Sequence, residues 1–158
     1  MLENTKKEAT IMIVRNCAGG IVFYGDKVFL LKNEKEEWVF PKGVMRNGDL
    51  PAEVAQKRVF EEGGIIANII SIAGDTSYEF YSVTRQKPIC NKITWFIMKT
   101  DSDKFHISEK EKFQDGGFFD IEEAMKLVTY SQDKALLNLS YKKYKEISQE
   151  CLKCCTFI

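Results

Sequence analysis

A single histidine, His106, serves all 158 residues, and it falls in a charged stretch. Histidine-dependent acid–base or nucleophilic chemistry therefore has one candidate, and neither a Ser-His-Asp nor a Cys-His arrangement is supported. An excess of one charge sign is also missing, because 23 Lys plus Arg face 23 Asp plus Glu. That balance argues against a general basic surface for nucleic acid, which is not an expected partner, although a local patch stays open. No apolar run approaches the ~18 residues of a membrane span, and no secretion signal opens the sequence. Membrane partners are not expected. Five cysteines, an odd number, fit reduced thiols, and the expected location is the cytoplasm.

What is present describes a folded domain. Apolar residues make up 44% and charged residues 29%, with no internal repeat or low-complexity tract. The expectation is one domain over residues 1–158, with 1–9 and about 147–158 as peripheral tails. Ile11 to Arg15 reads as a first strand. Cys17 to Tyr24, a turn at Gly25-Asp26 and Lys27 to Lys32 read as a hairpin. Gly19-Gly20 within it marks either a bulge or a close approach to the backbone. Ile65 to Ala73 reads as a strand, Gly74-Asp75 as a turn, and Ser77 to Val83 as a strand rich in aromatics. Ile93 to Met98 is the clearest buried strand. Asp120, with Glu123 three residues on, is a capping-box start for a closing helix, and a further apolar face follows at Ala135 to Leu137. Periodicity by itself yields α/β or α+β.

The most informative stretch runs from Gly43 to Ile65. It reads as a glycine-marked loop, a short helix with Pro51 in its first turn, and a Gly63-Gly64 stop. Residues 58, 61 and 62 share one helix face. Glu61 and Glu62 there, opposite Lys42 and Gly43, form a candidate oxygen-ligand site for a hard cation such as Mg²⁺ or Mn²⁺. Lys42, after Trp38-Val-Phe-Pro41, is placed to meet a phosphate as a point charge, or is simply a solvated loop lysine.

This stretch resembles the Nudix box: Gly, five residues, Glu, seven residues, Arg-Glu, an aliphatic, any residue, Glu-Glu, any residue, Gly, an aliphatic. Gly43, Val59, Glu61, Glu62, Gly64 and Ile65 match at the required spacing, and Asp49 stands in for the first Glu. Lys57 replaces the Arg. Arg58 replaces a Glu that, in the family, helps bind the metal and can serve as base. The resemblance, over residues from about 11 to 140, implies a Nudix-type α/β/α sandwich around a mixed β-sheet. It implies a pyrophosphohydrolase that cleaves a nucleoside or inositol diphosphate linkage with Mg²⁺ or Mn²⁺, with activity reduced by Arg58. Trp38-x-x-Pro-Lys-Gly43 is similar to the branch that hydrolyses diadenosine polyphosphates, and to branches acting on diphosphoinositols or capped RNA. The implied roles are catalysis for Glu61, Glu62 and Asp49, metal binding for Glu61, Glu62 and Glu111, and substrate binding for Lys42, Gly43 and Gly20.

Replacing a carboxylate by a guanidinium at position 58 changes the local charge by two units beside any cation. Arg58 should instead pair with Glu62, and Lys57 with Glu61, so that the cluster neutralises itself. Glu53 points elsewhere on the helix and cannot substitute for the missing carboxylate. Glu109 or Glu111 could reach in from a later loop. A non-catalytic nucleotide- or protein-binding module and an RNA 5′-end pyrophosphohydrolase are the competing readings. The tail Cys151-Leu-Lys-Cys154-Cys155-Thr-Phe-Ile158 makes a weak zinc site and a poor prenylation signal, and reads best as a helical end.

Overall fold

A computed structural model describes residues 11–155, with side chains through residue 150. The N-terminal stretch 1–9 lies outside the described residues, as do the side chains of Cys151, Cys154 and Cys155 and the last three residues. The strands are β1 (Ile13–Tyr24), β2 (Lys27–Lys32), β3 (Trp38–Val39), β4 (Lys42–Val44), β5 (Asn68–Ser82), β6 (Lys87–Lys99) and β7 (Asp115–Asp120). The helices are α1 (Pro51–Gly63), α2 (Ile121–Leu127) and α3 (Ser131–Cys155). One mixed sheet runs in the order β3-β2-β1-β6-β5, with β4 also pairing β1 and β7 pairing β2. The β1–β6 pair is the parallel one, in register from Ile13 opposite Ile89 to Phe23 opposite Lys99.

Alternation along β1 and β6 divides the core between the two faces of the sheet. Ile21, Phe23, Trp95 and Ile97 pack with Ala124 of α2 and Leu136, Leu137 and Tyr144 of α3. Ala18, Val22, Phe96 and Met98 pack with Val54, Ala55 and Val59 of α1. Helices on both faces of a mixed sheet give the α/β sandwich expected from the resemblance.

Several local expectations are corrected. Ile11–Arg15 and Cys17–Tyr24 are not two strands, because β1 is continuous, paired with β6 from Ile13 to Phe23. Of the two readings of Gly19-Gly20, the bulge is absent and the close approach is present, from Trp95 and the Pro41 carbonyl. The register shifts lie in β5 instead, between Ile69 and Ser71 and between Ile72 and Gly74. Gly74, at φ +148°, carries the chain through the second irregularity without turning it, so the two expected strands are one. Asp120 precedes α2, but its side chain makes no capping hydrogen bond. The helical reading of the C-terminal stretch holds as far as Cys155, where α3 ends.

The paired glycines of β1 serve packing on opposite faces. A Cβ on Gly19 would collide with the Trp95 ring and lie 2.5 Å from the Pro41 carbonyl oxygen, which is fixed backbone. Overpacking of this kind typically costs about 1–3 kcal/mol. A Gly19→Ala variant should therefore melt lower, at ~2–4 °C per kcal/mol for a chain of this size. An unchanged melting temperature by differential scanning calorimetry would show that Trp95 yields freely.

Candidate functional site

The site grows from the C-terminal half of α1. Pro51 is accepted at the first helical position because its missing N–H would be unsatisfied there in any case. Gly64, left-handed at φ +64°, ends the helix and donates its N–H to Phe60 O at 2.8 Å. Val54, Ala55 and Val59 face the core, which turns Arg58 and Glu61 toward the surface and buries Glu62 between helix and loop.

The loop after β6 docks on this helix end. His106 N–H donates to Gly63 O at 2.8 Å, and Ser108 N–H donates to Glu62 O at 3.0 Å. Ser108 then caps a 3₁₀ turn over Glu109–Glu111. These backbone bonds bring Glu111 to the face of α1. Of the two acidic candidates in the loop, Glu111 joins the cluster, and Glu109 makes no ion pair among the described residues. His106 acts in the loop through its backbone.

Arg58 occupies the middle of the cluster. Its Nη2 lies 2.9 Å from Glu62 Oε1, and its Nη1 lies 3.2 Å from Glu61 Oε2 and 3.4 Å from Glu111 Oε1. Its Nε donates to the Lys42 carbonyl oxygen at 3.2 Å. Lys57 adds a looser pair to Glu61 at 3.7 Å. Both ion pairs expected from the helical spacing are present, and the contact with Glu111 is an addition that only the folded loop provides. Gly43 makes this arrangement possible, since a Cβ there would lie 2.5 Å from Arg58 Cδ, Cγ and Nε. Gly43 thus cradles Arg58, which lies against its backbone.

Gly20 is buried against α1, and a Cβ there would meet Met98 and Val59. Asp49 is exposed and ties a turn, its carboxylate accepting from Arg46 N–H at 2.9 Å; among the described residues it makes no contact with Glu61 or Glu62. Lys42 lines a cavity of about 590 Å³ together with Glu111, Tyr78, Trp95, Tyr130 and Asp133. Its ammonium sits 5.4 Å from the Tyr78 ring centroid. The aromatic wall and Asp133 escaped sequence reasoning. Asp133 lies in the first turn of α3, where an acidic residue reads as an ordinary helix-dipole partner.

Glu61, Glu62 and Glu111 are the carboxylates that could hold a divalent cation, and their arrangement does not fit one. A Mg²⁺ needs oxygens at ~2.0–2.1 Å in near-octahedral order. Here a guanidinium stands between the oxygens and holds each of them by an ion pair. Among the described residues no group of three or more Asp, Glu, His or Cys side chains is disposed to hold a metal.

A family model described as "NUDIX domain" matches residues 6–139. The chain belongs to the NUDIX family, whose hydrolases cleave pyrophosphate bonds and generally use divalent metals. The RNA pyrophosphohydrolase of Xylella fastidiosa (strain 9a5c) is 27% identical over 116 residues, covering 68% of this chain and 58% of that protein. The RNA pyrophosphohydrolase of Vibrio atlanticus (strain LGP32) is 23% identical over 94 residues, covering 54% of this chain and 55% of that one. The chain thus spans just over half the length of these curated relatives. In fold, a C. elegans Ap4A hydrolase superposes with a TM-score of 0.65 at 19% identity, over 84% of this chain and 98% of its own. The E. coli dihydroneopterin triphosphate pyrophosphohydrolase gives 0.64 at 15% identity, over 79% of this chain and 94% of its own. Among the described residues no helix is long and apolar enough to cross a membrane.

Burial pushes the Glu62 carboxyl up from an ordinary 4.5 to about 7, while the Arg58 charge acts against the rise. A raised folded-state value means that folding favours the protonated form. The resulting stabilisation is complete below 4.5 and is lost as pH rises through about 7. The stability difference between the parent and Glu62→Gln should therefore fall as pH rises through that window. Paired denaturant titrations at several pH values would measure it, and a difference that is flat or rises with pH would contradict the account.

Arg58→Glu should have a larger effect than an exposed ion pair implies, because Arg58 compensates the buried Glu62. The variant should melt lower than the parent in chelator and regain stability with Mg²⁺ or Mn²⁺, which the parent should not do. A variant that is insensitive to metal would show that these carboxylates cannot form a site even when vacated.

Proposed function

We propose that this NUDIX-family chain binds a nucleotide containing a phosphoanhydride linkage and hydrolyses that linkage slowly. The observation that carries the reading is the continuity of the cavity. Its lining runs from Tyr78, Phe80 and Trp95 to Lys42 and Glu111, and so from a surface suited to a flat ring to charges suited to a phosphate. Tyr78 and Phe80 stack on one another at 5.9 Å, presenting a continuous aromatic wall. Lys42 supplies a point charge to the phosphate oxygens. Arg58 uses four of its five N–H donors on Lys42 O, Glu61, Glu62 and Glu111. Glu61, Glu62 and Glu111 are the carboxylates that would assist an attacking water, and their engagement with Arg58 is the reason for slow turnover. Asp49 contributes by holding the turn that leads into α1.

A non-catalytic binding module is the second reading, favoured by the ion pairs that bind Arg58 to all three carboxylates. The names of the curated relatives bring in the 5′ end of RNA as a source of the same linkage. One panel separates these: diadenosine tetraphosphate, ADP-ribose, nucleoside triphosphates, a diphosphoinositol and a 5′-triphosphorylated oligoribonucleotide, each with Mg²⁺ or Mn²⁺. Saturable binding of a nucleotide with measurable release of a phosphorylated product is expected. Binding without turnover makes the chain a binding module, and no binding of any member overturns the proposal. Within the panel, Lys42→Ala should weaken binding by about tenfold or more, the effect of removing a charge-assisted contact.

A further inference from the structure

Asp133 has no place in the reading so far, and its surroundings are specific. Its side chain is 9% exposed, it lines the cavity, and among the described residues nothing donates a hydrogen bond to it. Lys42 is near enough to influence its charge but forms no ion pair with it. Of the other polar groups of this wall, Glu79, Tyr130 and Ser131 are exposed, and three others are engaged. Trp95 Nε1 donates to Thr76 Oγ1 at 2.7 Å, and Tyr78 Oη accepts from Asn91 Nδ2 at 2.7 Å. The Gln132 amide exchanges two bonds with the backbone of Ser77, at 3.3 and 3.1 Å. Among the described residues, Asp133 is the buried polar residue of this lining whose side chain makes no hydrogen bond, and so the one placed to address a ligand. An ionised carboxylate only accepts hydrogen bonds, and its two oxygens can take a parallel pair of donors. Burying it without such a pair is costly, and burial accordingly pushes its carboxyl upward.

We propose that Asp133 is a specificity-determining residue that reads the paired N–H donors of a guanine-type base lying against the aromatic wall. The inference rests on the nucleotide reading above and sharpens it to a class of base. Guanine presents adjacent N1–H and N2–H groups on one edge, which match the two carboxylate oxygens. Adenine presents an acceptor beside its amino group, so the same carboxylate opposes it, and hypoxanthine lacks the second donor. Bases are recognised in this way when stacking on aromatic side chains supplies general affinity and one edge supplies discrimination.

The test uses the α,β-methylene analogues of GDP, IDP and ADP, whose bridging carbon resists hydrolysis. Their affinities for the full chain and for Asp133→Asn would be measured by calorimetry, with and without Mg²⁺. The expected result is that the guanine analogue binds about tenfold or more tighter than either of the others, since each lost bond to a charged group is worth at least that. In Asp133→Asn that preference should collapse while the adenine analogue binds at least as well as before. The unliganded variant should melt no lower than the parent, because Asn removes a buried charge without changing shape. Equal affinities for the three analogues, or a preference that survives in the variant, would overturn this inference and leave the nucleotide reading intact. A 2′,3′-dideoxy guanine analogue that loses as much affinity as the inosine analogue would place the ribose on Asp133 and overturn it as well. If no analogue binds, the nucleotide reading fails and this inference with it. A lower melting temperature for the variant with unchanged base preference would make Asp133 a structural residue only.

Discussion

The Arg58 guanidinium is held by acceptors from three separate parts of the chain: the Lys42 carbonyl on β4, Glu61 and Glu62 on α1, and Glu111 on the loop after β6. That one side chain joins a helix, a strand and a loop that would otherwise bring several negative charges together. Glu62 is almost completely buried, so an ionised carboxylate there requires a positive partner. In a site of this shape a divalent cation could meet the same need, but here the positive charge is covalently part of the chain. The electrostatic requirement of the family's helix face is thus preserved, and the coordination geometry is given up.

Glycine is what allows the approach. Gly43 lies under the Arg58 side chain at a distance that any Cβ would prevent, and Gly64 reverses the chain so that the 106–111 loop can lie against the helix end. The loop then follows two backbone bonds to Gly63 and Glu62 and delivers Glu111. Each element is ordinary by itself. Together they fix the cluster beside a cavity whose far wall belongs to β5, β6 and the start of α3. The division of labour follows: charge at the α1 end, aromatic surface along the sheet, and one unpartnered carboxylate at the turn into α3.

Much of this was legible in the residues. The spacing from Gly43 to Ile65 identified a loop, a helix with Pro51 at its start and a left-handed stop at Gly64, because these depend on local backbone preferences. The i, i+3 and i, i+4 spacing placed Arg58 with Glu61 and Glu62 for the same reason, helical geometry being fixed over short distances. The resemblance to the Nudix box extended these local statements to a mixed sheet flanked by helices on both faces.

Tertiary structure decided what lay beyond that range. Glu111 could be chosen over Glu109 only once the loop was anchored, since neither sequence distance nor charge distinguishes them. What a strand glycine accommodates depends on what packs against it: Val59 and Met98 at Gly20, and the Arg58 side chain at Gly43. The strand breaks read at Asn16 and at Gly74-Asp75 vanish because long-range pairing with β6 supplies hydrogen bonds that a local turn would have claimed. Asp133 reads in sequence as one acid in a helix's first turn, and its burial in the cavity lining arises only where α3 meets β5 and β6. The sequence by itself determined the helix, its charges and the family, because those rest on spacing along the chain. The fold decided which of those charges face one another and which residues line the cavity, because burial and partnership are properties of residues far apart in sequence.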